Sequence, residues 1–140
     1  MKRLILMAFV AMTLATMTSC KKENSEMILG TWVSTADTYG LSTFMGETEK
    51  DTYPAGQVTV TFNENGTMTS VGYDEGHLVT FTDTYTINGD NLFFDGQTYA
   101  IKQLDKKKLI LEITESETWE EENGEIFSAQ FFMHLDFDRK

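Results

Sequence analysis

Four kinds of side chain in this sequence are candidates for chemistry: a lone cysteine, two histidines, an isolated aspartate and a run of glutamates. Cys20 is the only cysteine and cannot form an internal disulfide. His77 follows Asp74 and Glu75, which is a weak pattern for acid–base catalysis or metal binding, and no nucleophile stands at a spacing that suits it. We expect no enzymatic activity, no metal and no cofactor.

Asp83 interrupts the apolar side of a predicted strand, between Phe81 and Tyr85. A buried carboxylate must accept hydrogen bonds or have a raised pKa, so Asp83 would either bind the polar group of a ligand or bond to a neighbouring group. We favour the second interpretation, in which Asp83 lies at a bulge or bonds to a neighbouring hydroxyl. The glutamates of residues 115–125 lack the aspartate-rich loop of a strong calcium site, so we interpret them as a solvated face, with calcium binding as the alternative.

Cys20 follows a segment that has the features of an export signal. Lys2 and Arg3 give a positive start, residues 4–14 are apolar, and small or polar residues lead up to the cysteine. This order is typical of a secretory signal peptide, and the apolar part is too short to span a bilayer. The residues MTSC, which end at Cys20, resemble the lipobox of bacterial lipoproteins. In that family the cysteine is acylated and becomes the first residue of the mature chain. A plain signal peptide with an incidental cysteine is the alternative.

The lipobox resemblance implies three parts: a signal peptide over residues 1–19, the lipidated cysteine with a short polar linker over 20–27, and one domain over 28–140. It also implies an outer membrane lipoprotein that faces the periplasm or the cell surface. The chain carries 22 acidic and 11 basic residues, a net charge of −11. Such a surface repels nucleic acid and anionic lipid, so we expect no nucleic acid partner and attachment through the lipid anchor alone.

The domain has the residue pattern of β-strands, because apolar and polar residues alternate with a period of two along most of it. The alternation predicts eight strands, over residues 28–35, 56–63, 67–73, 78–88, 91–95, 97–104, 108–119 and 125–138. Connections after the second strand are short, which predicts an all-β, antiparallel up-and-down barrel, since closure removes exposed strand edges. A two-sheet β-sandwich is the alternative.

Two turns, NENG and EENG, fix the register of the hairpins that contain them. A two-residue loop would set apolar residues against polar ones, whereas a three-residue loop restores the match. We therefore expect Gly66 and Gly124 to adopt the left-handed conformation of a bulge. In the second hairpin this register pairs Trp119 with Phe127.

The first strand carries LGTWV, in which Gly30 and Trp32 match the G-x-W signature that opens the first strand of lipocalins. The order of the later strands is similar to that of compact lipocalin-like domains on bacterial lipoproteins, which are small calycin-type barrels. In lipocalins an arginine just after the last strand packs on the tryptophan, and Arg139 has the matching position. The family's usual C-terminal helix is absent. The resemblance implies a barrel that binds a small apolar ligand at its mouth.

Alternating strand direction places the long loop of residues 38–56 and the acidic hairpin of residues 115–125 at the same end of the barrel, away from the anchor. Loops on a rigid scaffold commonly carry binding residues. We expect an apolar lid and a polar rim around the ligand, formed by Tyr39, Leu41, Phe44, Met45, Tyr53, Tyr73, Asp83, Glu115, Glu117 and Trp119. The alternative is a filled, ligand-free barrel that serves as a structural domain or contacts another protein of the cell envelope.

Overall fold

The computed structural model describes residues 24–140, which form one antiparallel sheet curled into a nearly closed barrel. The predicted all-β barrel is confirmed. Residues 24–27 form a single helical turn, and within 24–140 the structure has no helix long and apolar enough to cross a membrane. The strands are β1 (Gly30–Ser34), β2 (Tyr39–Phe44), β3 (Glu47–Thr52), β4 (Val58–Phe62), β5 (Thr67–Asp74), β6 (His77–Thr84), β7 (Thr86–Asn88), β8 (Asn91–Phe94), β9 (Gln97–Leu104), β10 (Lys108–Glu120) and β11 (Ile126–Arg139).

Hydrogen-bonded neighbours follow the order β6-β5-β4-β1-β11-β10-β9-β8-β7, while β2 pairs with β11 and β3 pairs with β2. The two ends of this path meet at a seam, because β7 follows β6 in the chain after the single residue Tyr85. Across the seam, the backbone N–H of Asp95 donates to Oδ2 of Asp83 at 2.7 Å. The N–H of Tyr85 donates to the carbonyl of Gly66 at 2.9 Å. The bond between Asp83 and Asp95 closes the lower part of the barrel, while the bond between Tyr85 and Gly66 continues the β5–β6 pairing beside it.

The predicted hairpin registers are confirmed. Gly66 and Gly124 have φ angles of 81° and 82°, so both occupy the left-handed region expected for them. Trp119 lies opposite Phe127 in the β10–β11 hairpin. Tight registers of this kind follow from the rule that a one-residue slip would turn every apolar side chain of a strand to the solvent.

The prediction of a long open loop over residues 38–56 was wrong. Most of it is the β2–β3 hairpin, whose two-residue turn places Met45 and Gly46 at φ angles of 51° and 80°. Strand β3 reads ETEKDT and is exposed along its whole length, so it lacks the apolar alternation that marks a half-buried strand. The predicted strand over 78–88 is also divided, at Tyr85, which brings the eight predicted strands to eleven.

The core fills the barrel's lower end, where the tight turns and the start of β1 lie. Ile28 and Trp32 are completely buried, and Nε1 of Trp32 donates to the carbonyl of Ile28 at 2.7 Å. The other buried members of the cluster are Val60, Phe62, Met68, Leu92, Ile101, Leu109, Leu111 and Phe137. A buried indole needs a partner for its N–H, and the residues just before β1 supply it.

The predicted packing of Arg139 on Trp32 is confirmed, with Cζ 4.2 Å from the ring centroid. The guanidinium also donates to the carbonyl of Leu29 at 2.6 Å, to that of Lys106 at 2.8 Å and to that of Met27. The Arg139 side chain on the last strand thus connects three parts of the chain. It packs on Trp32 and hydrogen-bonds to the segment before β1 and to the β9–β10 turn.

Gly30 makes room for this guanidinium. Its φ is 114°, and a Cβ at this position would lie 2.9 Å from Nη1 of Arg139. We predict that Gly30→Ala destabilises the domain by about 2 kcal/mol, because the change adds backbone strain and displaces the arginine. Urea unfolding measures the effect.

Gly72→Ala is the matched control, since its added Cβ would make ordinary contacts of 3.5 Å. This change should leave stability unchanged or raise it by about 0.5 kcal/mol. Equal destabilisation by the two changes would contradict the role given to Gly30.

Candidate functional site: a forked apolar cleft

Strand β11 is 14 residues long, and its neighbour changes part-way along it. Ser34 at the end of β1 pairs with Phe137, while Tyr39 at the start of β2 pairs with His134. Four residues, Thr35–Thr38, therefore stand opposite two. We call this segment the fork, because β4 pairs with β1 on one side of it and β2 leads to β3 on the other. Beyond the fork the sheet has two diverging arms.

Asp136 holds the fork. Its Oδ1 accepts from Oγ1 of Thr35 at 2.6 Å, and its carbonyl accepts from the N–H of Thr35 at 2.8 Å. The hydroxyl of Thr38 donates to the same carbonyl and accepts from the N–H of Asp136, both at 3.1 Å. Nζ of Lys108 reaches the same carboxylate at 2.7 Å. Both threonines that bound the fork are thus tied to one buried residue of β11.

The electrostatics of Asp136 favour its charged form. Burial raises the pKa of this carboxyl, but hydrogen bonds from Lys108 and Thr35 and the positive charge of Lys108 outweigh that effect, so the pKa lies below its ordinary value of 3.8. In turn, hydrogen bonds to Asp136 and Asp138 raise the pKa of Lys108 above its ordinary value of 10.5. The fork is therefore ionised and paired at neutral pH.

The arms enclose an apolar cleft with two hollows. The outer hollow has a volume of about 340 Å³ and the inner hollow about 180 Å³. The two are continuous, because six residues line both of them: Ser34, Thr38, Val58, Ser70, Phe81 and Leu135. The inner hollow reaches the core residues Phe62, Met68 and Leu109. We use the word cleft for both hollows together.

The wall of the cleft is incomplete on the side of β6. Strands β7 and β8 have only three and four residues, so the barrel wall that they form beside the seam is short along the strand direction. Val79 and Phe81 of β6 line the cleft, yet they are 48% and 39% exposed. A closed barrel would bury such side chains, so their exposure marks an opening.

The structure separates the predicted ligand residues into several groups. Tyr53 and Tyr73 line the outer hollow, as expected of a ligand site. Asp83 lies at the seam, where it accepts from the N–H groups of Thr84 at 2.8 Å and Asp95 at 2.7 Å. The carboxylate thus accepts from backbone N–H groups, and these are its partners in place of the expected hydroxyl.

Most of the other predicted residues lie on what we call the platform, the part of β2, β3, β10 and β11 that extends beyond the fork. Phe44 stacks on Trp119 with ring centroids 5.7 Å apart, and the two are 42% and 39% exposed. Glu115 and Glu117 are exposed on β10, and Met45 is exposed at the β2–β3 turn. The predicted shared position of residues 38–56 and 115–125 is confirmed, but they lie on either side of β11 in one sheet and form no lid.

Tyr39 and Leu41 alternate with Phe44 and the platform's other inward residues, so they face the opposite side of β2. The ring of Tyr39 stacks on His134 at 5.0 Å. Nδ1 of His134 lies 3.0 Å from Oε1 of Glu112, which is opposite it in the β10–β11 pairing. His77 is exposed at the tip of the β5–β6 hairpin. Residues 24–140 bring together no group of three or more His, Cys, Asp or Glu that could hold a metal ion.

Sequence reasoning missed two residues of the fork and the cleft. Asp136 stands between apolar neighbours in an alternating strand, which is the pattern of a solvent-facing residue. Its side chain is buried because residues 35–38 lie over it at the fork, where four residues stand opposite two of β11. Gln57 precedes β4 in a polar connection, yet it lines the outer hollow. A signal for the fork did exist, because TADT (35–38) is a short polar break between two alternating segments.

Comparison with protein-family models and with curated proteins gives no match to this chain. The functional interpretation therefore rests on the fork, the cleft and the platform.

We predict that Asp136→Asn destabilises the domain by about 2–3 kcal/mol, because it removes the charged partner of Lys108 from a buried site and leaves one neutral oxygen to accept from both Lys108 and Thr35. Asp138→Asn is the matched control. Its carboxylate lies 2.8 Å from the same lysine but is 61% exposed, so its loss should cost about 0.5 kcal/mol. Urea unfolding at pH 7 compares the two variants.

The pH dependence gives a second readout. The lowered pKa of Asp136 means that its contribution is fully present above about pH 4, the unfolded value, and is lost as the pH falls through the folded pKa. The Asn variant should therefore lose less stability than the unchanged protein between pH 5 and about pH 2. The role of Asp136 would be contradicted if the free energy of unfolding of the Asn variant fell with pH in parallel with that of the unchanged protein. It would also be contradicted if Asp136→Asn and Asp138→Asn lost equal stability at pH 7.

Proposed function

We propose that this chain is a lipid-anchored, lipocalin-like binding module of the bacterial outer membrane, which holds a small apolar ligand in the cleft. The observation that carries the proposal is the cleft itself. Small-molecule sites are typically concave and mostly apolar, with a few polar groups that orient the ligand. The outer hollow has Val58, Val79 and Leu135 beside polar side chains such as Gln57 and Tyr53.

A binding role also explains where the fold is weak. The lower end is packed around Trp32, whereas the arms beyond the fork leave Val79 and Phe81 exposed. A domain with only a structural role gains nothing from this exposed apolar surface, and a ligand that covers it recovers about 25 cal/mol for each Å² removed from water. The two hollows give such a ligand a continuous path into the barrel.

The lipid anchor is proposed from the lipobox at Cys20, which lies outside the described residues. In the described chain, Nδ2 of Asn24 donates to the carbonyl of Gly89 at 3.2 Å, so the helical turn is fixed to the lower end of the barrel. Residues 21–23 alone separate this turn from Cys20, a reach of about 10 Å at roughly 3.3 Å per residue. An anchor at Cys20 would therefore hold the lower end near the lipid and leave the cleft facing the periplasm or exterior.

An interaction domain is the second candidate, and the platform favours it. Phe44 and Trp119, which are exposed, form a stack with the half-buried Phe127, and the ring centroids are 5.7–6.1 Å apart. Exposed aromatic clusters with a charged surround are common at protein interfaces. Another envelope protein is the partner that this candidate implies.

Binding of N-phenyl-1-naphthylamine, a neutral apolar fluorophore, tests the proposed function. We predict a saturable rise in its fluorescence with the purified protein. Ser70 lines both hollows, so Ser70→Phe should fill the cleft and weaken binding at least tenfold.

The matched control is Ser128→Phe, which adds the same side chain at an exposed position of β11 that is not part of the cleft. It should leave the affinity unchanged. Loss of binding in Trp119→Ala, but not in Ser70→Phe, would move the ligand to the platform. Absence of any binding would remove the ligand hypothesis and leave the interaction domain.

Fractionation of cells tests the anchor. We predict that Cys20→Ser moves the protein from the membrane fraction to the soluble fraction, because the acyl chains supply the membrane affinity of an acidic protein. Ser19→Ala, at the adjacent position, is the control and should remain membrane-bound. Membrane recovery of the Cys20→Ser protein at the unchanged level would contradict lipidation at this residue.

A further inference from the structure

We infer that the platform binds a cationic amphipathic helix of a partner protein, with the apolar side of that helix on the platform's aromatic rings and its basic side chains on the carboxylates beside them. This inference goes beyond the proposed ligand site, because it concerns the platform and not the cleft. It names the chemistry of the partner that an interaction domain would need. Two observations carry it: an exposed aromatic face of the sheet, and a border of carboxylates on both sides of that face.

The inner face of the platform has aromatic side chains at its centre. Phe44, Trp119 and Phe131 are 42%, 39% and 38% exposed, and Phe127 stacks on the first two. Ala129 lies between the rings, directly opposite Phe44 in the β2–β11 pairing. We call these five residues the stripe. Adjoining aromatic side chains that remain this exposed are typical of an interaction surface.

Carboxylates border the stripe on both sides. Residues that pair directly opposite one another share a face of the sheet, so they form rows across the platform. Two rows begin and end with a glutamate: one is Glu117, Ala129, Phe44 and Glu47, and the other is Glu115, Phe131, Ser42 and Glu49. All four glutamates are exposed, and within residues 24–140 none of them forms an ion pair. An apolar surface with this border is complementary to a basic partner.

The row between these two points to the opposite face of the platform and is uncharged. It consists of Ser116, Gln130, Thr43 and Thr48, and the hydroxyls of the two threonines are 2.9 Å apart. In these three rows, the aromatic rings and the carboxylates are therefore gathered on one face of the same strands. Solubility alone does not explain this arrangement, because charges on either face would serve it equally.

The width of the stripe suits a helix. Strands β10, β11, β2 and β3 are neighbours in this order, so the glutamates of β10 and β3 are separated by roughly 14 Å, at about 4.8 Å for each pair of strands. An α-helix with its side chains is about 10–12 Å wide and fits between the two borders. Lysine and arginine side chains on its flanks then reach the glutamates, while their stems cover apolar surface.

The length and the charge of the stripe define the occupant further. From Phe127 to Phe131 the stripe extends about 14 Å at roughly 3.4 Å per residue. That length matches two to three helical turns of about 5.4 Å each. A second copy of this chain does not suit the surface, because two platforms would bring like charges together on chains that each have a net charge of −11.

Isothermal titration calorimetry with three synthetic peptides of about 14 residues tests the inference, at pH 7 and low ionic strength. The first peptide has leucines on one face of a helix and lysines on the other, and we expect it to bind. The second has glutamates in place of the lysines. The third has the composition of the first, rearranged into the alternating pattern of a strand. The second and third peptides should each bind at least tenfold more weakly than the first.

Truncation of one ring locates the site. Trp119→Ala should weaken binding of the first peptide at least tenfold, since buried aromatic side chains dominate the energy of such interfaces. Phe93→Ala is the matched control, because Phe93 is 38% exposed but lies on β8, outside the platform. This change should leave the affinity unchanged.

Removal of charge tests the border. The double variant Glu49→Gln, Glu117→Gln loses one carboxylate on each side of the stripe and should bind the first peptide about fivefold more weakly. The double variant Glu26→Gln, Glu64→Gln is the control, because it changes the net charge equally at exposed positions of the lower end. Its affinity should change less than twofold.

Three results would overturn the inference. Equal losses in the two glutamine variants would show non-specific attraction to an acidic protein. Binding of the glutamate peptide as tight as that of the lysine peptide would remove the charge preference. Equally tight binding of the alternating peptide would indicate addition of a strand at the edge of β3 in place of a helix on the stripe.

The fluorophore measurement keeps the two proposals separate. Absence of fluorophore binding overturns the proposed ligand site and leaves the platform inference intact. Absence of binding by the first peptide overturns the platform inference and leaves the ligand site intact.

Discussion

A buried carboxylate on the last strand divides the sheet. Asp136 bonds Thr35 and Thr38 and is neutralised by Lys108, which keeps four residues opposite two along β11. β1 pairs with β4, whereas beyond the fork β2 pairs with β3, so the part of the sheet that runs from β4 to β6 is separated from the platform. Because the pairing is broken at the fork, the arms diverge and apolar side chains of the inner face border an open cleft. The site is thus a consequence of one irregularity in pairing.

The two ends of the molecule have different tasks. At the lower end Arg139 packs on Trp32 and bonds three carbonyl groups, and the helical turn before β1 completes the packing. This end supplies the rigid base. At the other end the barrel wall is short at β7 and β8, while the long hairpins extend further as the platform. Because the core at the lower end stabilises the fold, the residues around the cleft do not have to bury their apolar side chains for the domain to fold.

The fold was largely predictable from the sequence. Period-two alternation located eight segments, and Gly66 and Gly124 fixed two hairpin registers because only one loop length matched apolar to apolar. Gly30, Trp32 and Arg139 predicted the packing of the arginine on the tryptophan at the lower end. The site was less predictable. Strand β3 is polar on both faces and shows no alternation of apolar and polar residues, so the sequence predicts a loop in place of the β2–β3 hairpin. Asp136 looks like an outward residue until the fork covers it. Tyr53 and Tyr73 were correct for the outer hollow, whereas Phe44 and Trp119 belong to the platform.

The most direct test of the account is the position of a bound ligand. Intermolecular nuclear Overhauser effects between decanol and the methyl-labelled protein report which side chains lie within about 5 Å of the alkyl chain. The account predicts contacts to Val58, Val79 and Leu135, which border the cleft on both arms. Contacts confined to Phe44, Trp119 and Phe127 would place the ligand on the platform and contradict the central claim that the fork creates the binding site.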